Sequence, residues 1–415
     1  MKIANWVRGP LLLAATAWPG LALAQPAETG PIGLNEALAR AGALETGDAM
    51  ATERLLPAAA RRDAADALVE QARIGPRLEM GLEVENFAGT GPYGGLSASE
   101  YTLSAGRRIE LGGKRQARLA VANAGVDLAE LEMRAARADL ALLVRQRYVA
   151  ATAAQERFEL AEDVLTRNRE LARIARVMVD VGREPPLRSL RAEAALAKAE
   201  AEREAARGTA LAAPRALAVL WNSDEAALVP AETVGIPAPD SAFDPSALSL
   251  AQARREADLA QAEVANQCAL GRSDPTVSLG VRRFAESRGT AVLAGISMPL
   301  GLKNANRGNI AASQARALAA MAEARIAEAD LRQDYFAART EYDAARLRAT
   351  TLREQSLPSA QEALDLVERG YRAGRFDLTE VLLAAEARDA IREDLIAAEE
   401  ARALAAARLI RLTAQ

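Results

Sequence analysis

The side chains that most often carry enzymatic chemistry are nearly missing from this sequence. It has no histidine, which removes the commonest general base and metal ligand. Its single cysteine, Cys268, has no second thiol with which to close a zinc site or a disulfide. Gly112-Gly113-Lys114-Arg115 resembles the end of a phosphate-binding loop, but the earlier glycine of such a loop is absent, and Arg115 stands where a hydroxyl residue belongs. The 56 acidic and 52 basic residues are interspersed, and no pair of carboxylates converges in a way that spacing alone marks as catalytic. Aromatic residues make up only 4% and no basic patch is interleaved with them, which argues against nucleic acid as a partner. The chain is therefore read as a non-enzyme, with no catalytic, cofactor-binding or metal-binding residue assigned.

What the sequence does carry is a repeated plan. Pro76 to Leu111 is two alternating segments that run into the charged turn Gly112 to Arg115 and then a long stretch without proline before Pro185. Pro275 to Leu302 repeats that plan, with Lys303-Asn304-Ala305-Asn306-Arg307 as its turn and a second helical stretch to Gly374. A duplication on this scale states the architecture before any local motif does. Leu78, Met80, Leu82 and Val84 alternate with polar positions, as do Tyr101, Leu103, Ala105, Ile109 and Leu111, and later Val277, Leu279 and Val281, then Val292, Ala294, Ile296, Met298 and Leu300. Period two is the mark of strands with unlike faces. The first pair is joined by the glycine-dense loop Phe87 to Ser99, the second by a shorter loop around Ser287 to Gly289.

The first 24 residues read as a signal peptide: Lys2 and Arg8, an apolar run from Leu11 to Ala17, and Ala22-Leu23-Ala24 before Gln25. Beyond it, no run approaches the roughly 18 apolar residues of a spanning helix, so any crossing of a membrane falls to the strands. Each is about as long as a tilted bilayer-spanning strand. Four strands are too few to close a barrel, which takes about eight or more, and lipid does not tolerate open edges. If the strands span, several chains share one barrel. Alternation alone fits equally well a soluble arrangement of hairpins packed on helices; the export signal, strand length, missing disulfides and duplication favour the membrane.

The remaining chain is helical. Gly113 to Asp180 is rich in Ala, Leu, Arg and Glu, and at 1.5 Å per residue it reaches roughly 100 Å. Return helices are expected over Leu187 to Trp221 and Asp377 to Leu412, with Pro358 kinking the second long helix. A first helix is expected from Leu34 to Ile74, broken near Pro57. The proline-rich segment 223–247 reads as a linker crossing the surface of the helical body, which divides the mature chain into repeats at 25–222 and 248–415. The fold class is mainly α with a small transmembrane β part, built from a duplicated unit of two strands and a long helical hairpin.

Three segments give this plan a family likeness. Glu110-Leu111-Gly112-Gly113-Lys114-Arg115, Ser297-Met298-Pro299-Leu300-Gly301, and the run Gly370-Tyr371-Arg372-Ala373-Gly374-Arg375-Phe376-Asp377-Leu378-Thr379-Glu380-Val381-Leu382, in that order, resemble the TolC-type outer membrane efflux factor family over essentially the whole mature chain. The first segment is most similar to the branch serving heavy-metal cation pumps of the resistance-nodulation-division class. The resemblance implies a homotrimer with a 12-stranded barrel in the outer membrane and an α-helical periplasmic barrel. Such a duct is passive, uses no cofactor, and is joined to an inner-membrane pump by a periplasmic adaptor.

Carried over residue by residue, the resemblance makes Val181, Gly182 and Arg183, and Ala373, Gly374 and Arg375, the adaptor-docking tips. It places Glu380 at the periplasmic aperture, with Asp377 one turn earlier and Arg188 at the matching position of the first repeat, where an arginine could tie neighbouring helices shut through carboxylate pairs; the alternative for Glu380 and Asp377 is a solvated surface carboxylate. A second acidic position is Leu383 here, so a double acidic ring is not complete. Converging carboxylates at a narrow pore would favour cations. Lys114, Arg115, Lys303 and Arg307, after strands that return to the periplasmic side, are candidate anchors to lipid head groups; charges at helix starts with no lipid role fit them equally well. The competing readings are a periplasmic coiled-coil scaffold with a soluble strand cap, and the adaptor itself. An adaptor normally has one helical hairpin, against the two read here.

Overall fold

A computed structural model describes residues 31–44, 53–224, 226, 229, 235–239, 243, 246–300 and 305–415. The leader reading at 1–24 and the candidate anchor Lys303 lie outside the described residues, as does much of the linker. In order, the elements are α1 (Leu34–Arg40), α2 (Leu56–Arg73), β1 (Leu78–Glu85), β2 (Glu100–Arg108), α3 (Lys114–Asp180), α4 (Pro186–Ala218), α5 (Leu248–Leu270), β3 (Thr276–Phe284), β4 (Thr290–Ser297), α6 (Arg307–Thr351), α7 (Leu357–Arg372) and α8 (Leu378–Leu412). Helix, two strands, long helix and return helix thus occur twice.

The strands form one antiparallel sheet in the order β1-β2-β3-β4, so β1 and β4 are its open edges. The pairing register sorts side chains by face, because residues directly opposite each other share a face. Leu82, Leu103, Val281 and Val292 form one row, and Met80, Ala105, Leu279 and Ala294 the next. Every leucine, valine and methionine in these two rows is exposed, from 47% for Val281 to 75% for Val292. A single chain therefore presents an apolar sheet face with nothing of its own on it. The opposite face is mostly polar or small, with rows such as Glu83, Thr102, Arg282, Ala291 and Gly81, Ser104, Gly280, Leu293.

Helix α3 has 67 residues, roughly 100 Å at 1.5 Å each. It packs against α2 and α5 near the sheet and against α4 and α8 farther away, while α6 and then α7 run beside α8. Alanine is what lets these rods approach: Ala151 and Ala153 on α3 and Ala403, Ala406 and Ala407 on α8 are all fully buried. Small satellite clusters, not one large core, hold the bundle. Ile32, Leu38, Val144, Tyr148 and Leu217 make one, in which the Tyr148 hydroxyl donates to the Ile32 carbonyl at 3.1 Å. Linker residue Ile236 is buried beneath Val149 and Ala406, so this part of the linker is clamped to the helical body.

Several expectations need correction. Pro57 does not break a helix: it sits in the first turn of α2, where its missing N–H would be unsatisfied anyway. Strand β2 stops at Arg108, short of Ile109 and Leu111, where the Ile109 N–H turns to the Pro275 carbonyl and the Leu111 N–H to the Asp274 carboxylate. The expected return helix Leu187 to Trp221 holds through Pro214, which is buried within α4. At Pro358 the helix is not simply bent. Residues Leu352–Ser356 form a π-helical turn just before it, which loosens the backbone where the proline ring would meet the carbonyl one turn earlier. Arg353 in that turn pairs with the buried Glu399 of α8.

Candidate functional site

The two hairpin tips, at the end of the rod away from the sheet, have the same backbone design. At the first, Gly182 has φ +73°, its N–H donates to the Val179 carbonyl and the Arg183 N–H to the Met178 carbonyl, both at 2.9 Å. At the second, Gly374 has φ +72°, its N–H donates to Tyr371 at 2.9 Å and the Arg375 N–H to Gly370 at 2.8 Å. This is the Schellman closure, in which a left-handed residue returns two N–H groups to the last helical turn. Glycine adopts that conformation without strain. Both turns leave Val181, Gly182, Arg183, Ala373, Gly374 and Arg375 exposed. Phe376 folds its ring over Gly370, so closely that a Cβ there would lie 2.2 Å from the ring.

The structure brings Arg188 and Asp377 together. The Arg188 guanidinium lies 2.7 Å from Glu184 on its own hairpin and 3.2 Å from Asp377 at the start of α8. It is the ionic link between the two hairpin ends. Asp377 also caps α8: its Oδ1 accepts the N–H groups of Thr379 at 2.8 Å and Glu380 at 3.1 Å. Those backbone donors, with Arg188 adding to them, hold its carboxyl below the usual range. Glu380 is exposed in the first turn of α8. Of the three aperture candidates, two therefore form a joint, and the carboxylate of the third has no ion-pair partner among the described residues.

At the other end of the rod, sheet meets helix. Lys114 was read as an anchor for lipid phosphate, and its position excludes that. Its side chain is only 8% exposed, with the ammonium 2.7 Å from Asp274 and donating to the Arg272 carbonyl at 2.6 Å. It is a buried joint between the two repeats. Burial pushes Asp274 upward, but Lys114, the Leu111 N–H and Arg108 outweigh it and hold the carboxyl below its ordinary value. Arg115 and Arg307, by contrast, are exposed at the first turns of α3 and α6.

One polar constellation was not read from the sequence. On the non-apolar face of the sheet Arg282 lies 2.8 Å from both Glu85 and Glu100 and donates to Thr102 at 2.9 Å. Its signal was an arginine at an alternate strand position, directly opposite Thr102 and diagonal to Glu100. Among the described residues no group of three His, Cys, Asp or Glu is placed to hold a metal ion, and no helix is long and apolar enough to cross a membrane.

The family described as Outer membrane efflux protein matches residues 52–223 and 245–415. The chain belongs to that family. Its two matched stretches coincide with the two copies of the strand and helix unit. Among curated relatives, the cobalt-zinc-cadmium resistance protein CzcC of Cupriavidus metallidurans is 29% identical over 364 residues, covering 85% of this chain and 83% of the relative. The nickel-cobalt-cadmium resistance protein NccC of Alcaligenes xylosoxydans xylosoxydans is 32% identical, covering 70% of this chain and 67% of the relative. In fold, the outer membrane protein VceC of Vibrio cholerae superposes with a TM-score of 0.76 at 21% identity, covering 92% of this chain and 95% of VceC. The transmembrane channel protein CusC gives 0.76 at 16% identity over 92% of each chain.

Proposed function

We propose that this chain is the exit duct of a tripartite efflux pump, carrying heavy-metal cations passively from the periplasm to the exterior. The sheet carries the proposal. An apolar face of this breadth in water would promote aggregation, and in lipid it is satisfied only if both edges are paired. With four strands per chain, three chains supply twelve, enough to close a barrel. The polar face, with its Arg282 cluster and its glycines and serines, then lines the lumen. Below the membrane the helices of three chains continue the wall, and the tips face an adaptor and pump of the inner membrane.

The metal class rests on the relatives, whose printed names are those of cobalt, zinc, cadmium and nickel resistance proteins. Arg188 with Glu184 and Asp377 keeps the two hairpins of one chain together at the periplasmic mouth, and Glu380 adds a carboxylate there, unpaired among the described residues, that favours cations over anions. Arg115 and Arg307 sit where head groups of the inner leaflet begin. A strain lacking this chain should lose resistance to cobalt, zinc or cadmium and regain it on complementation. Unchanged growth in all three metals, with the pump and adaptor present, would contradict the metal assignment.

A further inference from the structure

The apolar face of the sheet has a further row at each end of the two already described. Leu78, Arg107, Val277 and Ile296 lie nearest the helices, and Val84, Tyr101, Arg283 and Thr290 lie nearest the loops 86–99 and 285–289. The two arginines are the only charged side chains in these rows, one at each rim, and none of the rows contains a carboxylate. Their surroundings differ. The Arg107 Nε donates to the Pro76 carbonyl at 3.2 Å. Arg283 is exposed and has no carboxylate partner among the described residues, although Arg282, its neighbour on the other face, has Glu85, Glu100 and Thr102. Glu286 and Arg288 in the adjoining loop cancel in charge, which leaves Arg283 as the net charge on this side of the rim. Tyr101 and Thr290 stand directly opposite it on the two flanking strands, a placement that brings Cβ atoms to roughly 5 Å. A 3.3 Å hydrogen bond between the Ser99 and Tyr101 hydroxyls aims the tyrosine ring toward the loops.

Resting on the reading of this sheet as part of an outer membrane barrel, we infer that Arg283 binds a phosphate of the phosphorylated glycolipid in the outer leaflet, the lipid A part of lipopolysaccharide, with the Thr290 hydroxyl as a second donor. A cation on a lipid-facing strand is costly at the middle of a bilayer and tolerated near its interfaces, where aromatic residues also gather. The row holding Tyr101 and Arg283 therefore marks the level of the head groups. Chain direction selects the leaflet: both loops leave the sheet at the end opposite the helical rod, which is the outer side. The planar fork of arginine matches phosphate oxygens in pairs. A phosphomonoester on a sugar attracts it more strongly than the phosphodiester of a zwitterionic phospholipid, whose own ammonium offsets the charge. The rows at Leu82 and Met80 then lie along the acyl chains beneath that phosphate. Each chain of the barrel carries one such site.

The test uses the intact duct extracted in detergent and exchanged free of its own lipid, with native mass spectrometry counting bound lipid. The probes are lipid A bearing both phosphates, the same lipid stripped of them, and phosphatidylglycerol. The phosphorylated lipid A should bind the wild type most tightly and saturate at one per chain. Arg283→Gln should weaken its binding about tenfold, and Arg283→Lys, which keeps the charge and loses the fork, by less. Arg107→Gln, at the opposite rim, should leave it unchanged, and the stripped lipid should bind wild type and Arg283→Gln equally. Particle mass and channel conductance establish that each variant is assembled; if Arg283→Gln is not, Arg283→Lys and the comparison of the two lipid A forms on the wild type decide. Undiminished binding by assembled Arg283→Gln, equal binding of stripped and phosphorylated lipid A by the wild type, or a preference for phosphatidylglycerol overturns the inference. Recovery of the wild type as a water-soluble single chain overturns instead the barrel reading beneath it.

Discussion

Replacing Lys114 by methionine should damage the joint between sheet and helices far more than loss of a surface charge would. The ammonium and the Asp274 carboxylate are 8% and 11% exposed and 2.7 Å apart, and the same ammonium satisfies the Arg272 carbonyl. Methionine keeps the stem's volume but leaves that carboxylate and carbonyl facing each other in a space water hardly reaches. Removing one partner from a buried pair costs about 3–5 kcal/mol, against about 0–1 kcal/mol for an exposed pair. In a chain of this size the larger value corresponds to a melting temperature lower by about 3–6 °C, readable by circular dichroism of the helical rod in detergent. Lys114→Met with Asp274→Leu should recover most of the loss, since an apolar pair of similar volume is often neutral or better. The same pair predicts a pH dependence. Because the folded Asp274 carboxyl titrates below its ordinary value of about 3.9, its stabilisation is complete above that value and is lost as the pH falls through the folded one. A cost for Lys114→Met below about 1 kcal/mol, or a double variant as unstable as the single one, would refute the buried joint and return Lys114 to the surface.

Leu82→Arg on the apolar face should cost about 2–4 kcal/mol in a bilayer and deplete the protein from outer membranes, whereas Ser104→Lys on the other face should leave assembly intact; fractionation distinguishes them. Gly112→Ala should destabilise the chain more than Gly374→Ala. Both glycines have positive φ, but a Cβ at 112 also meets Arg272 at 2.3 Å while none is near at 374, and melting of the two variants compares them directly. Arg188→Ala should raise the closed-state conductance in planar bilayers by freeing Asp377, with Asp377→Asn giving a similar but smaller rise because asparagine still caps α8. The wild-type conductance should be flat from pH 7 to about 5 and rise only at lower pH, since the Asp377 carboxyl is held below the usual carboxylate value of about 3.9. A rise already at pH 6 would remove Asp377 from the link.

The parts of this structure that follow from period and propensity were legible in the sequence. Alternation at Leu78, Met80, Leu82 and Val84 gave β1 and its apolar face, and the glycines at 182 and 374 marked both turns. What stayed hidden depended on which elements meet. Nothing local in Gly112-Gly113-Lys114-Arg115 says that Asp274, far along the chain, comes to lie against the ammonium, so a lysine after a strand read as a surface charge. That Arg188 could tie helices through a carboxylate was legible, but that Asp377 is the partner depends on where the start of α4 meets the start of α8. Pro57 was misplaced for a simpler reason: proline opens a helix as readily as it breaks one, and the choice lies in chain on either side of it. The π-helical turn at Leu352–Ser356 answers Pro358 in a way that propensity does not encode.

One chain cannot complete this sheet: β1 and β4 are left as open edges. The most direct test is the native mass and conductance of the protein extracted from outer membranes without crosslinker. Three chains per particle, with cation-preferring channels on insertion into planar bilayers, is the result expected. A single chain recovered from the soluble periplasmic fraction, forming no channel, would contradict it.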